Sequence, residues 1–147
     1  MQYKKIVVGI DESYERTGIS IAADGILQIV KSVDFKDCQN KAEKRIKLTR
    51  IICSILAKNK HKADEIIIIV ERIRTFSQGA GKEKGFGLNP SYLKSIGALI
   101  GAIVDSAYLL GVPVYSVDTR AWKNKILGSS KTFDKYKKDF EKPEKAA

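Results

Sequence analysis

Asp11 and Glu71 each stand directly after a run rich in Val and Ile, residues 6–10 and 65–70. Such runs read as strands buried on both faces, so each acid is expected at a strand exit. If the two strands lie side by side and parallel, the carboxylates come within a few ångströms of each other. Two acids that close repel, and keeping both ionised beside a core needs a positive partner. A hard divalent cation suits carboxylate oxygens and keeps several of its waters. A pair of such ions about 3.5–4 Å apart activates a water and stabilises the leaving oxygen in phosphodiester cleavage. The plainer alternative has Asp11 capping a turn and Glu71 paired with Arg16, Arg72 or Arg74. Two acids at matched strand ends favour the metal.

The elements that must position these acids are legible in order. Residues 6–10 form a first strand, residues 19–23 a second and residues 26–33 a third, with Asp24-Gly25 as a hairpin turn. Residues 41–60 read as a helix in which Ile46, Ile51, Ile52, Ile55 and Leu56 share a face. Residues 65–70 form the fourth strand. A helical crossover makes it parallel to the first and places it beside it. Residues 74–88 hold four glycines and mixed charge, and are expected to form a mobile loop. Asn89-Pro90 fits an N-cap with proline at the first helical position, and Gly111 closes that helix near Leu110. Tyr92, Ile96, Leu99, Ile100, Ile103, Val104 and Ala107 form its apolar face, and Gly97 and Gly101 permit close backbone approach. Residues 112–117 make a fifth strand, and a short helix follows from Asp118 or Thr119 to Leu127. The fold class is therefore α/β: a five-stranded mixed sheet, antiparallel through strands one to three and parallel through strands one, four and five, flanked by helices. Ligands of such sheets sit beyond the carboxyl ends of the parallel strands, where Asp11 and Glu71 fall.

Composition narrows the partner. The 147 residues are 44% hydrophobic and 30% charged, enough for one domain with a core. Lys plus Arg is 27 against 17 Asp plus Glu, a net charge of +10, which favours an anionic partner such as nucleic acid. Basic residues concentrate at 41–62 and 120–145. One histidine and the spacing of Cys38 and Cys53 argue against zinc. No apolar run approaches a membrane span. The N-terminus leads straight into a strand, so no signal peptide and a cytoplasmic setting are expected.

These residues resemble a known family. Residues 7–21, running Val-Val-Gly-Ile-Asp-Glu-Ser-Tyr-Glu-Arg-Thr-Gly-Ile-Ser-Ile, look like the first motif of RuvC-type Holliday junction resolvases. Residues 67–72, Ile-Ile-Ile-Val-Glu-Arg, resemble the second. Residues 91–117, with Thr119-Arg120-Ala121-Trp122-Lys123, are similar to the later helix, strand and basic segment. The likeness spans nearly the whole chain, and the bacteriophage branch looks nearest. It implies an RNase H-like fold, a single nuclease domain over residues 1–147, and Asp11 and Glu71 as catalytic metal ligands. The implied cofactor is Mg²⁺, with Mn²⁺ as a substitute. The implied activity is paired nicking of four-way DNA junctions, leaving 5′-phosphates and 3′-hydroxyls, by a homodimer formed through the 89–110 helix. Branched DNA is the expected partner. Arg74, Phe76, Lys82, Arg120, Lys123, Lys125, Lys131, Lys142 and Lys145 are the expected DNA contacts. Phe76 or Phe86 would either stack on an unpaired base or tuck back onto the core as an anchor, and the resemblance favours stacking for Phe76.

Two departures stand out. The family has Pro after the first Asp, where Glu12-Ser13 stand here. It also carries two further acids on a C-terminal helix, and no Asp-x-x-Asp on an apolar helix occurs here. A C-terminal truncation is therefore expected. The same gap supports an alternative, a junction-binding protein without catalysis. An actin-like ATPase or sugar kinase also begins with a strand, Gly-Ile-Asp and a turn to Thr, but needs a second such domain and a second phosphate loop.

Overall fold

The computed structural model describes residues 2–13, 15–71 and 90–118. The chain divides into two units, Met1–Ser116 and Val117–Ala147, and the architecture below is that of the first with the last residue of its final strand. The elements are β1 (Tyr3–Asp11), β2 (Arg16–Ala23), β3 (Ile26–Asp34), α1 (Lys41–Asn59), β4 (Ala63–Glu71), α2 (Pro90–Leu109) and β5 (Val114–Val117). They build one five-stranded sheet in the order β3-β2-β1-β4-β5. β1 pairs antiparallel with β2, and β2 with β3; β1, β4 and β5 run parallel. The mixed sheet expected from the element order is the one observed.

Strand alternation explains which face holds the core. Ile6, Val8 and Ile10 of β1 are buried, and so are their register partners Ala23, Ile21 and Ile19 on β2 and Ile66, Ile68 and Val70 on β4. This face packs with Leu48, Ile52, Ile55 and Leu56 of α1 and Leu99, Ile103 and Ala107 of α2. Ile68 and Ile103 are fully buried, each worth roughly 1.5–3 kcal/mol of hydrophobic transfer. The neighbours on the opposite face of β1 and β4, Val7, Gly9 and Ile69, are only partly buried.

Local signals set the element ends. Asp24 (φ 48°) and Gly25 (φ 80°) form the left-handed hairpin turn between β2 and β3. The Asp24 carboxylate also accepts from the backbone amides of Lys4 (3.1 Å) and Lys5 (2.9 Å), which ties the hairpin to the start of β1. Asn40 caps α1 by accepting from the Glu43 amide at 2.9 Å, while Glu43 accepts from the Gln39 amide at 2.7 Å. Lys47 donates to the Asp34 carbonyl and to Asp37, bracing the β3–α1 turn, and its hydrogen bond holds the Asp37 carboxyl below the usual range. Pro90 opens α2 as expected, and Gly111 (φ 67°) follows it in the left-handed region.

Three details differ from the sequence reading. On α1, Leu48 is buried and Ile46 is half exposed, because the buried stripe is centred on Leu48, Ile52 and Ile55. On α2, Val104 lies outward, and Ser95, Ala102 and Ser106 widen the buried face instead. The serines are tolerated there because their hydroxyls donate to the Ser91 and Ala102 carbonyls one turn back. Gly97 and Gly101 approach nothing among the described residues; a Cβ at either would meet open space. No helix among the described residues is long and apolar enough to cross a membrane. The expected 74–88 loop and the short helix to Leu127 fall outside the described residues.

Candidate active site

The parallel register between β1 and β4 runs step by step from Lys5 with Glu65 to Ile10 with Val70. Asp11 and Glu71 are the next residues along, each the last of its strand. Both therefore stand at the same level, at the carboxyl ends of adjacent parallel strands. Strand alternation turns both away from the face that carries Ile10 and Val70. Asp11 is exposed and Glu71 is partly buried. Across the sheet, Asp11 is in register with Gly18 of β2, whose missing side chain leaves room beside the carboxylate. Gly9, two residues earlier, packs closely against β2. A Cβ there would come within 2.6 Å of the Ser20 hydroxyl on β2.

Glu12 joins this pair. It follows β1 directly and is partly buried. Its Oε2 atom is shielded from solvent, with no hydrogen-bond partner among the described residues. Burial pushes its carboxyl up to about 7, a hydrogen bond from its own backbone amide pulls the other way, and the charges of Asp11 and Glu71 push it up further. Asp11 and Glu71 thus both act on Glu12 at the end of the sheet. The sequence signal for the third is its position alone, an acid immediately after Asp11. No periodic pattern marks a turn residue as buried.

The donor chemistry fits a hard divalent cation: carboxylate oxygens only, one of them a buried oxygen without a partner among the described residues. Asp11 and Glu71 supply an exposed and a partly buried carboxylate at this end of the sheet. Among the described residues no three His, Cys, Asp or Glu groups converge as a ready metal cluster.

A hollow of about 470 Å³ opens at the same end of the sheet, where β2 begins and β3 ends. Glu15, Arg16, Asp34, Phe35, Lys36 and Lys44 line it. Three cations face two acids there, and Lys44 Nζ lies 5.9 Å from the centre of the Phe35 ring. The sequence reading gives Arg16 a place only as an ion-pair alternative and Lys36 no role. The expected contacts Arg74, Phe76, Lys82, Arg120, Lys123, Lys125, Lys131, Lys142 and Lys145 all lie outside the described residues, as does Phe86.

No protein-family model matches the chain, and no curated protein matches it. Solved structures do. RuvC of T. thermophilus in complex with a Holliday junction substrate is similar at TM-score 0.62 and 18% identity, over 82% of this chain and 68% of that one. The Thermus thermophilus RuvC structure gives 0.61 and 19%, over 84% and 70%. A ROK-family transcriptional regulator, a homolog of the E. coli MLC protein, gives 0.50 and 14%, over 83% of this chain and 31% of the regulator. At these identities the likeness is one of architecture, and with the strand order and directions described above it gives this chain the RNase H-like fold found in RuvC.

Proposed function

We propose that this chain is a Mg²⁺-dependent, structure-selective endonuclease that resolves four-way DNA junctions by paired phosphodiester nicks. The observation that carries this reading is the shared level of Asp11 and Glu71 at the exits of β1 and β4. It is supported by the likeness to a RuvC structure solved with Holliday junction DNA and by the net charge of +10.

In this reading Asp11 and Glu71 hold Mg²⁺ or Mn²⁺, and the bound ion supplies an activated water and charge stabilisation at the leaving oxygen. The two carboxylates fix the position of the reacting phosphodiester relative to the sheet end. Arg16, Lys36 and Lys44 in the neighbouring hollow attract the flanking backbone phosphates. Lys123 and the other basic residues of 120–145 extend that contact. A homodimer through α2 would present two such sites to a two-fold symmetric junction.

A second reading, junction binding without cleavage, is favoured by the lack of a ready three-donor cluster among the described residues. One gel separates the two. The chain is incubated with a labelled four-way junction or a linear duplex, in Mg²⁺ or in EDTA. Paired Mg²⁺-dependent nicks confined to the junction are expected. Junction retardation with no nicks would replace the nuclease reading with the binding one.

A further inference from the structure

We infer that the outer side of α1 is a docking surface for an acidic segment of another protein, one that carries an apolar side chain among its carboxylates. The inference stands apart from the nuclease reading, because none of its residues belongs to the candidate active site.

The surface is built around one side chain. Ile46 is 51% exposed, on a helix that buries Leu48, Ile52, Ile55 and Leu56 on its other side. A hollow opens to either side of it. One, of about 460 Å³, lies between α1 and α2 and is lined by Arg45, Thr49 and Asp105 among others. The second, of about 420 Å³, lies against the turn before α1 and is lined by Asp37, Lys47 and Ile51 among others. Ile46 and Arg50 line both. Ala42 and Ala102 on one side and Ile51 on the other continue the apolar surface of Ile46 into the two hollows.

Charge selects the partner. α1 carries six basic residues, Lys41, Lys44, Arg45, Lys47, Arg50 and Lys58, against the single acid Glu43. Lys47 is taken by Asp37 at 2.6 Å. Arg45 and Arg50 have neither an ion pair nor a side-chain hydrogen bond among the described residues, although Asp105 lines the same hollow. A guanidinium is a rigid fork of donors that matches a carboxylate. Two open forks with an exposed isoleucine between them suit carboxylates set around an apolar side chain, the pattern of an acidic amphipathic helix laid in a groove. A second copy of this chain, at net charge +10, has the wrong sign. A phosphate backbone would satisfy the arginines and leave Ile46 bare. The surface also lies clear of the strand exits: α1 and α2 cover the sheet face that holds Ile10 and Val70, and Asp11 and Glu71 turn to the opposite face.

The test is calorimetric titration of the full chain with a synthetic amphipathic helix that sets a leucine stripe between rows of glutamates. The controls are the same helix with glutamine for glutamate, and polyglutamate, which has the charge without the stripe. Wild type is compared with Arg45→Gln, Arg50→Gln and Ile46→Ser, all at exposed positions, with far-ultraviolet circular dichroism as the folding control. The expected result is that wild type binds the leucine–glutamate helix, that each folded variant loses about fivefold or more in affinity, and that both controls bind more weakly by at least as much. No binding by wild type, equal binding of polyglutamate, or variants that bind as wild type does would each overturn the docking surface. Arginine variants that lose four-way-junction affinity but keep peptide affinity would assign the surface to DNA instead. The junction-nicking gel tests the nuclease reading separately, and its failure leaves this surface standing.

Discussion

Asp11 and Glu71 stand one residue beyond Ile10 and Val70, the last registered pair of the parallel β1–β4 ladder, so two acids 60 positions apart in sequence share one level of the sheet. Hydrogen-bond register in the strand pair, not loop geometry, fixes their relation. A site built on paired strands is held more precisely than one built on loops.

This relationship predicts the outcome of neutralising either acid. If the chain is the proposed nuclease, Asp11→Asn and Glu71→Gln should each lower Mg²⁺-dependent junction nicking by about 10²-fold or more, since each would remove a ligand charge from the reaction site. Junction affinity in EDTA should be unchanged or slightly higher, because a negative charge beside the phosphates is gone. Single-turnover cleavage and gel retardation on the same preparations check both halves.

Glu12 predicts a pH dependence in the metal-free protein. Its folded-state value of about 7 lies above the ordinary 4.5, so between these values the folded chain holds a proton that the unfolded chain releases. The favourable contribution of that proton is complete below 4.5 and is lost as pH rises to about 7. Wild type should therefore lose stability across this window, and Glu12→Gln should not. With solvent screening discounted for a side chain this open, the difference between pH 5 and pH 8 is on the order of 1–2 kcal/mol. Urea unfolding of both proteins in EDTA at the two pH values measures it.

The hollow beside β2 predicts a salt effect. Lys36→Ala with Lys44→Ala should weaken junction and duplex binding alike, because binding to phosphates carries no sequence or branch information. Each phosphate that the variant no longer neutralises should flatten the plot of log affinity against log salt by about 0.9. Fluorescence anisotropy at several KCl concentrations checks the slope.

Gly9 predicts a coupling. Gly9→Ala drives a methyl group toward the Ser20 hydroxyl and should destabilise the chain by about 1–3 kcal/mol through overpacking. Ser20→Ala removes the clashing oxygen, so the double variant should recover part of the loss. A double-mutant cycle by thermal unfolding reads the coupling directly.

Much of the fold is legible in the sequence because its strongest signals are local. Unbroken Val and Ile runs mark strands buried in the middle of a sheet. Asp24-Gly25 can hardly be anything but a hairpin, and Pro90 with Gly111 brackets α2. The Asp11–Glu71 pair is legible because a strand exit is set by where an apolar run stops. What escapes is set by tertiary packing. Whether Ile46 or Leu48 faces the core of α1 depends on a small rotation of the helix, to which a broad apolar stripe is indifferent. The burial of Glu12 depends on how the chain leaves β1, and the hollow around Arg16, Lys36 and Lys44 on where β3 ends against β2. Neither leaves a periodic trace.

The outer strand has a consequence for handling the protein. β3 lies at the margin of the sheet and exposes Ile26, Leu27, Ile29 and Val30. A strand with open backbone groups and bare aliphatic side chains is a template for a second chain. The net positive charge keeps molecules apart at low ionic strength. Added salt removes that repulsion and leaves the sticky margin unopposed, so colloidal stability should fall with rising ionic strength, and a lysine at Val30 should restore it.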